Sequence, residues 1–151
     1  MSLLFRNRKE AGQLLAGRLS RQGFKQPVVL AGSTSAVPVA FEVALALDAP
    51  LQLLLTGGFE LSGRTVIVVE DALRLGSSLR EALVLLRRRA PRRIVVAVPL
   101  AAPQAMLELD LLADSVVVLL RPESLGDARP YYADFAAVTD EAAQALLERR
   151  R

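Results

Sequence analysis

Five short aliphatic runs constrain this chain more than any other feature: Pro27 to Ala31, Leu51 to Leu55, Thr65 to Val69, Arg93 to Val98 and Ser115 to Leu120. Val, Ile and Leu follow one another in them with almost no polar alternation, and strands that are apolar on both faces belong to parallel sheets covered by helices on both sides. The stretches between them have helical spacing. Leu14, Leu15, Ala16 and Leu19 lie among Lys9, Glu10, Arg18 and Arg21, which predicts an amphipathic helix over 8 to 22 closed by Gly23. Val39, Ala40, Val43, Ala44 and Leu47 predict a second helix, Ser77 to Arg89 a third and Pro103 to Leu112 a fourth. Thr139 or Asp140 can cap a last helix that carries Ala143, Leu146 and Leu147 and ends in Arg149, Arg150 and Arg151. Strand and helix alternate, so the expected class is α/β, and 151 residues suffice for a single domain with a full core.

One join breaks the alternation. Only Thr56, Gly57, Gly58, the segment Phe59 to Gly63 and Arg64 lie between the second run and the third. That leaves no room for a crossover helix, so either a hairpin fills the gap or the chain crosses the sheet by an unusually short route.

Composition narrows the chemistry. With 0 Cys and 0 His there is no thiolate, no disulfide, no imidazole base and no common zinc constellation. Any catalysis is left to carboxylates, hydroxyls, backbone amides, Lys and Arg. The net charge of +3 is modest, although 17 of the 19 basic residues are Arg. The opening MSLLFRNRKE is charged at once, so no signal peptide is expected, and every apolar run ends before the roughly 18 residues that a membrane crossing requires. The cytoplasm is the expected location.

In an open parallel sheet a ligand binds beyond the carboxyl ends of the strands, where the winding direction reverses. Two loops qualify. Gly32-Ser33-Thr34-Ser35-Ala36 follows the first strand and Glu70-Asp71-Ala72-Leu73-Arg74-Leu75-Gly76-Ser77-Ser78 follows the third. In a sheet of order 2-1-3-4-5 they are neighbours, and both run into helices whose free amides attract an anion. Arg74, Ser77 and Ser78 add side-chain donors, while Glu70 and Asp71 can accept from sugar hydroxyls or hold a hard cation such as Mg²⁺. The plainer reading stays open: Ser33 to Ser35 as an ordinary turn, and one acidic residue as a solvated helix cap. Neither loop is a GxGxxG or a Walker A sequence.

The string VIVVEDALRLGSSLREAL resembles the phosphoribosyl-diphosphate motif of type I phosphoribosyltransferases, a hydrophobic strand, two acidic residues and a small phosphate loop that opens a helix. Phe5-Arg6-Asn7-Arg8 with Ala11-Gly12, the run Pro27 to Ala31, Val37 to Val43, Arg92 to Pro99 and the tail Tyr131 to Phe135 through Val138 to Glu141 are similar to a bacterial subgroup of that family. The resemblance covers nearly the whole chain. It implies a five-stranded, mostly parallel sheet of order 2-1-3-4-5, ribose binding by Glu70 and Asp71, phosphate binding by Arg74, Gly76, Ser77 and Ser78, and a diphosphate loop at Ser33, Thr34 and Ser35. Mg²⁺ would accompany a bound phosphoribosyl diphosphate, and a homo-oligomer is expected, with Tyr131, Tyr132 and Phe135 as either interface anchors or core.

The chain also departs from the family pattern. Glu70 stands where the family usually has Asp, and Arg74-Leu75 where it has a small residue followed by Thr. Gly32 to Ala36 replace Leu-Pro-Arg-Gly-Gly, Gly57 and Gly58 replace an Arg-Lys pair, and the few dozen residues of a mobile lid after the second strand are missing. The reaction separates pyrophosphate from an oxocarbenium-like ribose and needs fixed donors in a site closed to water. The expectation is therefore a non-catalytic family member that keeps a phosphate or nucleotide site. The alternative is an active transferase that moves ribose 5-phosphate to an acceptor and completes its site from a partner subunit. Nucleic-acid binding through Arg87 to Arg89, Arg92, Arg93 and the last three Arg ranks below both, because Arg at helix ends is commonly solvated.

Overall fold

The computed structural model describes residues 4–54 and 58–151. Five strands form one sheet: β1 (Val28–Ala31), β2 (Leu51–Leu53), β3 (Thr65–Val69), β4 (Arg93–Leu100) and β5 (Ser115–Leu120). Their order is β2-β1-β3-β4-β5 and every pairing is parallel. The helices are α1 (Arg8–Leu19), α2 (Val37–Leu47), α3 (Ser77–Arg87), α4 (Pro103–Leu112) and α5 (Asp140–Arg149).

Pleating explains why the strands are apolar on both faces. Val29, Ala31, Ile67, Val69, Val95 and Ala97 face one core with α1, α2 and α5. Their neighbours Val28, Leu30, Val66, Val68, Ile94 and Val96 face a second core with α3 and α4. Asn7 starts α1 by accepting from the Glu10 N–H at 2.8 Å, and Thr139 starts α5 by accepting from Ala142 N–H at 3.0 Å. Sequence boundaries shift slightly. The first helix gives way to a 3-10 turn at Ser20–Gln22 before Gly23 turns left-handed, α3 stops at Arg87, and β4 continues to Leu100.

The unusual join is a crossover. β2 and β3 both lie parallel to β1, on either side of it, so a hairpin between them is excluded. Leu61 is 1% exposed in the core beside α3, with Phe59 packed against it, and Arg89 donates to the Phe59 carbonyl. Leu61 and the partly buried Phe59 pack where a crossover helix would usually lie. Leu55, Thr56 and Gly57 lie outside the described residues. Among the described residues no helix is long and apolar enough to cross a membrane.

Candidate functional site

Because β1 and β3 are adjacent and parallel, the loops that follow them emerge side by side at the carboxyl edge. The Gly32 N–H donates to the Val69 carbonyl at 2.9 Å and joins the two loops at their base. From there they differ.

The first loop leaves in extended conformation at Ser33 and enters a 3-10 turn, Thr34–Ala36, that leads into α2. The Ser33 hydroxyl donates to Glu70 Oε1 at 2.9 Å and lies 3.1 Å from the Ser35 hydroxyl. A hydroxyl has one proton to give, so with Ser33 committed to Glu70 the Ser35 hydroxyl donates to Ser33. Glu70 also lies across Gly32: a Cβ there would stand 2.4 Å from Glu70 Oε2. Burial pushes the Glu70 carboxyl from 4.5 up to about 7; the Ser33 bond opposes this and the Asp71 charge adds to it.

The second loop is held by a charge pair. Arg8 Nε lies 3.0 Å from Asp71 Oδ2, both side chains being buried, while Arg8 Nη1 donates to the Ala136 carbonyl at 2.7 Å. The guanidinium stacks 3.8 Å from the Phe135 ring centre. Tyr132 donates its hydroxyl to the Asp71 carbonyl at 2.9 Å and packs between Phe5 and Phe135. Burial and the nearby Asp71 charge raise the Tyr132 hydroxyl pKa, so it stays a donor. Beyond Asp71 the chain pairs once more with its neighbour, Leu73 with Ala101, before turning into α3.

A cavity of about 380 Å³ opens here, with Arg8, Ser35, Glu70, Asp71, Arg74 and Ser78 in its wall. Arg74 donates to the Gly126 carbonyl at 2.8 Å and Ser78 to the Leu75 carbonyl at 2.9 Å. Ser77 is exposed, and α3 has no side-chain cap. Gly76 has a packing reason to be glycine: a Cβ would stand 2.6 Å from Glu108 Cβ and 3.0 Å from the Ala105 carbonyl of α4. The geometry thus brings Ser35, Glu70, Asp71, Arg74 and Ser78 together, turns Ser33 toward Glu70 and packs Gly76 against a helix.

Sequence reasoning missed Arg8 and Phe135 as cavity residues. One signal was present: Arg8 is a cation in the first turn of a helix, where the dipole favours acids, so something else must hold it. Tyr132 is core, with 3% exposure. The Arg-rich segments staple the opposite edge of the sheet: Arg87 pairs with Asp114 at 2.9 Å, Arg93 donates to Ser115 and Arg64 to the Gln26 carbonyl. Among the described residues no group of three or more metal-ligating side chains converges. Asp71 Oδ2 is held by Arg8 and Glu70 Oε1 by Ser33.

A family profile described as phosphoribosyl transferase domain matches residues 54–120, from the end of β2 through β5 and across the whole second loop. Together with the sheet order, this gives the chain a phosphoribosyltransferase-like fold. It is similar over 98% of its length, and over 99% of the other chain, to the protein TT1426 from Thermus thermophilus, with 28% identity and a TM-score of 0.89. A Mycobacterium tuberculosis protein provisionally named phosphoribosyl transferase MT0597 is 24% identical over 207 aligned positions, which cover 97% of this chain and 47% of that protein. The chain thus spans about half the length of the curated relatives it matches. An alignment longer than the 151 residues present includes stretches of the relative with no counterpart here. A hypoxanthine-guanine phosphoribosyltransferase from Bacillus anthracis shares the fold, with 21% identity, a TM-score of 0.58 and coverage of 77% of this chain and 78% of that one.

Proposed function

We propose that the chain is a non-catalytic phosphoribosyltransferase-like protein that binds a small phosphorylated ligand, such as the 5'-phosphate of a ribose or nucleotide, in the cavity at the carboxyl edge. The observation that carries this reading is the meeting, in one cavity, of the loop that opens α3 with Arg8, Arg74 and Asp71. A helix without a side-chain cap directs unpaired N–H groups at an incoming anion, and two guanidiniums in the wall add positive charge. Asp71 keeps its second carboxylate oxygen for a ribose hydroxyl, with Glu70 beside it.

Loss of catalysis is supported by the shortness of the crossover, which is pinned to the core at Leu61 and Phe59 and leaves few described residues to close over the edge. Without closure, charge developing on ribose and pyrophosphate stays open to water, and each missing donor costs about 3 kcal/mol of transition-state stabilisation. Exposed leucines support a homo-oligomer, and they lie elsewhere than the sequence suggested. Leu107 and Leu111, 74% and 87% exposed, project from α4. The cytoplasm remains the proposed location.

The test is a titration with ribose 5-phosphate that follows the amides of Gly76 to Leu79, on a sample whose mass is measured by light scattering. Those amides shift at millimolar ligand if the reading is right; unmoved amides overturn it, and a mass of 16.3 kDa removes the oligomer. No isotope exchange between pyrophosphate and phosphoribosyl diphosphate is expected. Detectable exchange would replace this reading with an active transferase.

A further inference from the structure

The carboxyl edge offers a ligand two donor-rich walls, the loop at Gly32 to Ser35 and the loop that opens α3. A ligand with two anionic groups would need both. The first wall already has an occupant. Ser35 and Ser33 pass their hydroxyl protons in one direction, ending on Glu70 Oε1, and the same carboxylate lies across Gly32. A second anion cannot approach the Gly32 backbone without pushing Glu70 aside. The charges around Glu70 do not relieve this: Asp71 beside it is acidic, and Arg8 already holds Asp71 and the Ala136 carbonyl. The second wall is different, since Ser78 and Arg74 bind carbonyls and no side chain caps α3.

We infer that Glu70 makes this cavity a one-anion site, which admits a sugar or nucleoside monophosphate at α3 and refuses a diphosphate group at the Ser33 to Ser35 loop. The inference rests on the phosphate site proposed above. It makes Glu70 a specificity-determining residue whose side chain fills the place a second anion would take. Its reach matters, because a side chain one methylene shorter would not span to Ser33 with the same geometry.

Calorimetric titration of the wild type, Glu70→Ala and Glu70→Gln with ribose 5-phosphate and with phosphoribosyl diphosphate, all at one Mg²⁺ concentration, tests it. The wild type is expected to bind ribose 5-phosphate about tenfold tighter than phosphoribosyl diphosphate, and Glu70→Ala to remove that difference by strengthening only the diphosphate ligand. Glu70→Gln keeps the reach without the charge and gives a smaller gain in the same direction, so the inference stays testable if the Ala variant folds poorly. A wild type that binds phosphoribosyl diphosphate as tightly as ribose 5-phosphate, or an affinity ratio unchanged in both variants, overturns the inference and leaves the phosphate site standing. Binding of neither ligand to any of the three proteins overturns the site and the inference together.

Discussion

The two loops at the carboxyl edge begin alike, each following a buried parallel strand and each entering a helix, yet they are stabilised in opposite ways. The β1 loop is closed by a hydrogen-bonded carboxyl that burial drives toward neutrality, while the β3 loop is anchored by the buried Arg8–Asp71 ion pair. Adjacent acidic residues therefore have separate duties. Glu70 reaches back across β1, and Asp71 faces the first helix and the aromatic tail. Which duty falls to which is decided by what each carboxylate meets, since only Asp71 has a guanidinium at hydrogen-bonding distance.

Breaking the ion pair should have the largest effect. Arg8→Ala leaves the Asp71 charge buried without its partner and removes the contact with Phe135, and urea denaturation should show a loss of about 3–5 kcal/mol. A loss under 1 kcal/mol would mean that the β3 loop is held by packing alone.

The Glu70 carboxyl should give the next effect, with opposite sign. Its ordinary value is 4.5 and its folded value about 7, so between those pH values the unfolded chain releases a proton that the folded chain retains. The stabilising contribution is complete below pH 4.5 and is lost as pH rises through 7, on the order of 3 kcal/mol in all. Glu70→Gln should flatten stability across that window and exceed the wild type at pH 8. Denaturation at pH 5 and pH 8 checks both, and parallel profiles for the two proteins would show that Glu70 is not held as described.

The smallest effects separate two glycines. Gly76→Ala forces a Cβ against the Ala105 carbonyl and Glu108 on α4 and should cost about 1–3 kcal/mol, because helix backbone cannot step aside. Gly32→Ala meets only the movable end of Glu70 and should cost less than Gly76→Ala. It should also free Glu70 to titrate nearer 4.5, as carboxyl NMR would show. Equal costs at the two positions would erase the distinction between a wall made of backbone and one made of a side chain.

Much of the fold was legible because its strands are buried on both faces and so spell themselves as Val, Ile and Leu. The β2 to β3 crossover was not, since a short link fits a hairpin or a crossing equally well until Leu61 is seen in the core. At the site, residue types and their order placed Glu70, Asp71 and Ser78 at one cavity. What sequence could not supply was orientation. That Gly76 also makes room for α4 is a matter of packing no motif spells out, and Arg8 is separated by 63 positions from the carboxylate it holds.

That separation bears on the order in which the molecule takes shape. Asp71 is secured by Arg8 from 63 positions upstream and by Tyr132 from 61 positions downstream, and Arg8 in turn grips Ala136, 128 positions away. Loop closures of this length follow the local pairing of β3 with α3 and β4. A growing chain can therefore build most of its sheet on the ribosome while the wall containing Arg8 and Phe135 is still missing. The cavity becomes complete only when the segment around 129 to 136 folds back onto Arg8 and Asp71, so its wall depends on contacts between residues far apart in the chain rather than on the sheet alone.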